Sequence, residues 1–139
     1  MPIEHPPDAG EERRLYLEGI RLFNHRQFFD AHETWEDIWT TARGDRQRFY
    51  QGLIQAAVAL EHYARSNPRG VVSLHRTYPP KFAGLSDVFL GLHIPTFLAQ
   101  MEHALAPVLE LKTLPEKGAI QIDPARLFTI TLLHEPFDT

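Results

Sequence analysis

His32 and Glu36 stand at i and i+4 in the string AHETWEDIW, with Glu33 between them. On a helix that spacing sets an imidazole beside a carboxylate. H-E-x-x-E differs from the zinc-protease pattern H-E-x-x-H only in its last residue. One chemistry open to it is metal-assisted hydrolysis, with His32 and Glu36 as ligands and Glu33 positioning a water. A third ligand would come from the next helix, where His62 and Glu61 are the candidates, and a divalent cation such as zinc would suit that donor set. Further on, Gln51, Gln55 and His62 recur at i, i+4 and i+11. Glutamine donates and accepts at once, so this stripe suits the wall of a polar groove. Trp35 and Trp39, again i and i+4, offer indoles that could cage a cation or stack on a base.

Each of these has a plainer reading. Polar groups beside large aromatic residues cost free energy unless paired, so His32, Glu36, Gln51, Gln55 and His62 could form a hydrogen-bonded network that fixes helix register. A tryptophan pair at helical spacing is most often core. The leading expectation is therefore a binding or assembly module without catalysis. Its pocket would lie between the second and third helices, edged by His32, Glu36, Trp39, Gln51, Gln55 and His62. A metal-dependent hydrolase and a purely structural cluster are the alternatives, and no cofactor is predicted outside the metal reading.

The elements that must position these residues are helices. Leu15, Gly19, Leu22 and Phe23 share a face, so a first helix is predicted from about Gly10 to a left-handed stop at Asn24. Phe28, Ala31, Trp35, Ile38 and Trp39 form the apolar stripe of a second, from about Gln27 to Ala42. On the same wheel His32 lies about 40° and Glu36 about 80° from Phe28, at the edge of the contact. The third helix, from about Asp45 to Arg65, is apolar on most sides and should be central, with Gly52, Ala56, Ala57 and Ala59 allowing close approach. Asn67-Pro68 is a cap and first-turn pair opening a fourth helix, expected to stop before Pro79-Pro80.

Beyond that the pattern weakens. Ser86–His93 reads as a short helix capped by Ser86, and Pro95 opens another that Pro107 would kink or shorten. The tail AIQIDPARLFTITLL reads as a short strand pair around Asp123-Pro124 or as an extended arm. The 12-residue spacing of Gly19 and Ala31 returns 33 residues later in Gly52 and Ala64, with no turn between, so one tetratricopeptide-like hairpin is expected.

Composition sets the outer bounds. The 139 residues are 43% hydrophobic, with nine Phe, four Tyr and two Trp, enough for a packed core. Without cysteine there are no disulfides, thiolate metal sites or cysteine nucleophile. There is no Gly-rich phosphate loop and no G-x-S-x-G elbow. No apolar run nears the roughly 20 residues of a membrane span, and MPIEHPPDAGEERR lacks the core of a signal peptide. A soluble cytoplasmic protein is expected. The net charge of -4 argues against nucleic acid, although Arg43, Arg46, Arg48, Arg65, Arg69, Arg76 and Lys81 face only Asp45 and Glu61 in their stretch. An unidentified protein or small molecule is the expected partner, with self-association between opposite patches as a further candidate.

The segments FNHRQFFDAHETWEDIW, FYQGLIQAAVALEHY and NPRGVVSLH together resemble the uncharacterised all-α prokaryotic family known as domain of unknown function 309. The resemblance runs over about residues 15–85. It departs at Val71-Val72, where that family usually has alanine, and at Pro79-Pro80, and the tail after Leu111 has no counterpart. It implies a helical bundle and no established reaction. The organisation expected is an all-α bundle of about five helices over residues 10–111, a flexible tail over 1–9 and an irregular or short-stranded arm over 112–139.

Overall fold

Two helical hairpins with the same turn build the body of the protein. The computed structural model describes residues 9–137, with the side chain of Ala9 set aside. The tail expected over residues 1–9 lies, apart from the backbone of Ala9, outside them. Helix α1 (Ala9–Asn24) turns into α2 (Phe28–Trp39), and α3 (Gly44–Ala64) turns into α4 (Pro68–Lys81). In the first turn Gln27 N–H bonds the Leu22 carbonyl and Arg26 N–H that of Phe23, at 2.9 and 3.0 Å. In the second, Asn67 N–H bonds His62 and Ser66 N–H bonds Tyr63, at 2.8 and 2.9 Å. This paired closure is a Schellman stop, which needs a left-handed residue after the helix. Arg26 and Ser66 are those residues, with φ of 66° and 55°.

One hairpin was expected and two are present, their left-handed residues 40 apart; Gly52 and Ala64, 33 residues after Gly19 and Ala31, both lie inside α3 with no turn between them. The left-handed stop is likewise Arg26 and not Asn24. Its place is fixed by the hydrogen-bond closure of the turn, and a non-glycine residue fills it.

Helix α3 sits between α2 and α4, as its all-round apolar surface requires. Gly19 and Gly52 explain how closely the layers pack. A Cβ on Gly19 would lie 2.1 Å from Nε1 of Trp35, and one on Gly52 2.5 Å from the Phe82 ring. Asn67 caps α4 through Gly70 N–H at 3.5 Å, with Pro68 in the first turn.

Three local expectations are corrected. Helix α4 continues through Pro79 and Pro80. Both lie in its last turn, which closes by Phe82 N–H to Pro79 and Ala83 N–H to Pro80, at 3.1 and 3.2 Å. Tyr78 and Phe82 are buried on either side of the prolines, and that packing keeps the helical path. Ser86–His93 is not a helix but a hairpin of β1 (Val88–Phe89) and β2 (Leu92–His93), with Val88 paired to His93 and Phe89 to Leu92. Leu90 and Gly91 both have positive φ (45° and 78°), as a two-residue hairpin turn of right-handed twist demands. The Leu90 carbonyl is held there by the Tyr16 hydroxyl at 3.0 Å. The segment around Asp123-Pro124 forms a 3₁₀ turn (Pro124–Arg126) capped by Asp123, not a strand pair.

Helix α5 (Ile94–Leu109) then runs past Pro107 to its end. Pro107 cannot donate to the carbonyl of His103, and Arg126 Nη1 bonds that carbonyl at 2.7 Å instead. Residues 112–137 form an extended arm strapped over both hairpin turns. At the second turn, Ser66 Oγ bonds both the carbonyl and the N–H of Ile120, at 2.8 and 2.9 Å. At the first, the Asn24 side-chain amide does the same for Ile130, at 3.1 and 2.7 Å. The core meets under the arm, where Phe23 packs on Phe28, Phe97 and Phe128 with ring centroids 5.2, 6.4 and 5.5 Å away.

Candidate functional site

Helix α2 presents Phe29, His32, Glu36 and Trp39 as one stripe, spaced i, i+3, i+7 and i+10 beside its buried face. Phe29 is half exposed, and its ring meets that of His32 edge-on at 4.7 Å. His32 Nδ1 donates to the Phe29 carbonyl at 2.5 Å. That leaves Nε2 facing Glu36 Oε1 at 3.5 Å. Glu33 is exposed on the outer side of the helix.

One turn further, Glu36 and Trp39 meet α3. Together with Gln51, Ile54 and Gln55 they line a depression of about 190 Å³. The depression has room for roughly half a dozen waters, so it suits one side chain and not a whole metabolite, whose pockets start at about 300 Å³. Its walls carry an imbalance. Trp39 Nε1 and Gln55 Oε1 are both buried and neither has a hydrogen-bond partner among the described residues. One is a donor and the other an acceptor, and both line the same hollow.

The remaining predicted residue, His62, turns toward α4. Its ring is the surface on which Gly70 packs, a Cβ there falling 2.3 Å from the imidazole. Asn67 Nδ2 donates to Nδ1 at 3.0 Å, which places the proton of the neutral ring on Nε2. Burial, then the positive charges of Lys117 and Arg65, pull its pKa below the usual histidine value against the opposing pull of Glu61. The structure thus joins His32 to Glu36, and Glu36 to Trp39, Gln51 and Gln55, and sets His62 on another face. Among the described residues no three of histidine, aspartate and glutamate converge as a metal-ligand set. Of the two tryptophans Trp35 is core, fully buried with Nε1 on the Tyr16 carbonyl at 3.2 Å.

Residues 16–74 match the family described as Domain of unknown function (DUF309). The matched segment includes both hairpin turns and every residue of the depression, while α5 and the arm lie outside it. An uncharacterised protein of Aquifex aeolicus (strain VF5) is 28% identical over 95 residues, 68% of this chain. The chain spans only 28% of that relative's length. Among the described residues no helix is long and apolar enough to cross a membrane.

Two features escaped sequence reading. Glu12 is a buried acid, 7% exposed, that accepts from Tyr50 Oη at 2.7 Å and pairs with Arg46 at 2.8 Å. Burial and then the Glu12 carboxylate push the Tyr50 hydroxyl well above the ordinary tyrosine range, so it stays a donor. In the sequence Glu12 is one of a run of charges, EERR, and nothing local marks it. The second is Tyr78, whose buried hydroxyl has no partner among the described residues. It packs against His75, which bonds Glu102 across the α4–α5 contact.

Proposed function

We propose that this protein is a binding module whose α2–α3 depression accepts one amide group of a protein partner. The observation that carries the reading is the buried, unpaired pair on its wall: the Trp39 indole N–H and the Gln55 side-chain oxygen. An unpaired buried polar group costs about 1–3 kcal/mol, and two on one small hollow are a cost that a ligand of matching chemistry removes. An amide matches, because its carbonyl accepts from Trp39 while its N–H donates to Gln55. The hollow's volume fits an asparagine or glutamine side chain or one peptide unit. Half-exposed Phe29 and the His32–Glu36 pair extend the contact along α2, supplying an apolar anchor and a polar flank.

The test is a titration of ¹⁵N-labelled protein with acetamide, read at the two tryptophan indole cross-peaks and assigned with Trp39→Phe. The Trp39 peak should shift in a saturable way while that of Trp35, already bonded to Tyr16, stays still. An unmoved Trp39 peak, or equal movement with acetone, which cannot donate, removes the basis of the reading.

A further inference from the structure

The arm's two edges differ. From Phe128 to Leu132 burial alternates, with Thr129 and Thr131 exposed between more buried neighbours. That is the pattern of an extended strand, in which the backbone groups of successive residues point to opposite edges. On one edge the Asn24 amide takes both groups of Ile130, and Arg26 Nη1 takes the Phe128 carbonyl at 2.6 Å. A side chain stands there in place of a neighbouring strand. On the other edge Leu133 N–H bonds the Gly91 carbonyl of the hairpin turn at 2.8 Å. Just before it, the N–H and C=O groups of Thr129 and Thr131 have no partner among the described residues.

That open edge borders a groove. Two cavities of about 340 and 400 Å³ lie along α5 beside the arm and share Thr96 and Gln100. His93, Thr96, Gln100 and His103, at i, i+3, i+7 and i+10, give α5 one polar face along them. Phe97 and Phe128 supply apolar wall. Among the described residues the only fixed charge on either lining is Arg126, already committed to the His103 carbonyl and to Asp123 at 3.8 Å. From His93 to His103 the helix runs about 15 Å, the length of four or five extended residues.

We propose that this groove binds an extended, uncharged peptide of a partner protein by strand addition along Thr129–Thr131. The free backbone groups supply pairing, and the apolar wall takes alternate side chains. A second copy's arm does not meet the requirement, because each arm is strapped to its own bundle and has its own α5 beside the edge it would offer. The inference is independent of the α2–α3 depression, since the two share no residue.

The experiment measures amide hydrogen exchange of the whole chain with the acetylated, amidated peptide Thr-Val-Thr-Val-Thr. A second form of that peptide carries N-methyl groups on alternate residues. Exchange at Thr129 and Thr131 should be fast in the free protein and slow at least about tenfold with the plain peptide, but not with the form methylated on its pairing edge. Thr131→Pro, which removes one edge donor, should weaken binding at least about tenfold. Thr129→Pro repeats the test should Thr131→Pro prove less well folded by circular dichroism. Equal protection by both peptides, unchanged binding by both proline variants, or no protection at millimolar peptide overturns the proposal. Concentration-dependent protection without peptide also overturns it, assigning the edge to a second copy.

Discussion

Replacing Gln55 by methionine should make this protein more stable and a worse binder. Gln55 Oε1 is buried without a partner, and such an acceptor costs about 1–3 kcal/mol. Methionine has nearly the same length, is unbranched and has similar helix propensity, so the backbone of α3 should not object. The side chain is only half-buried, and its amino group loses favourable contact with water on substitution. The lower end of the range is therefore the fair figure, a gain of about 1 kcal/mol. For a chain of this size that raises Tm by about 3–5 °C. The assay is thermal unfolding by circular dichroism with and without acetamide. Acetamide should stabilise wild type through linkage and leave Gln55→Met unaffected. A fall in Tm for Gln55→Met would show that the amide is part of a structural network. A rise with the acetamide response intact would show that the hollow is not where acetamide binds.

Four further outcomes are expected. Glu12→Ala strips Tyr50 and Arg46 of their shared partner and should cost about 2–4 kcal/mol in urea unfolding, Arg46 being half exposed and Tyr50 fully buried. Gly19→Ala sets a methyl against Trp35 and should cost up to about 2 kcal/mol net, overpacking of about 1–3 kcal/mol being offset by a helix-propensity gain of about 1, with a changed Trp35 near-ultraviolet signal as the check. His62 has a folded pKa below its ordinary 6.5, so the stability it contributes is present in full above that pH and is lost as pH falls through the lower folded value. The urea midpoint of His62→Gln should accordingly drop less than that of wild type between pH 7 and 5. Asn24→Ala frees both groups of Ile130 and should speed exchange at the Ile130 amide far more than at the Ile120 amide, which Ser66 holds separately.

Much of the framework was legible because it is written in local terms. The stripe Phe28, Ala31, Trp35, Ile38 requires a helix with one buried side, and the apolar circumference of residues 45–65 requires a central one. Asn67-Pro68 marked the start of α4 because a cap and a ring-fixed φ are properties of adjacent residues. The pairing of His32 with Glu36, and their place at the edge of the α2 contact, followed from helical spacing alone.

Tertiary structure decided what local spacing cannot encode. Pro79 and Pro80 forecast an early stop and Pro107 a kinked or shortened helix, yet buried neighbours kept α4 on its path, and an arginine from the arm took the carbonyl that Pro107 leaves unpaired. Gln51 and Gln55 faced α2 while His62, on the same stripe, went to α4, because a 21-residue helix between two neighbours can serve a different one at each end. Glu12 became a buried acid only when Tyr50 and Arg46 arrived from 38 and 34 residues away. The sequence by itself determined which residues form helices and which side of each is apolar, since both depend on periodicity within one turn or two. Which polar atoms are left without partners depended on contacts between segments far apart in the chain.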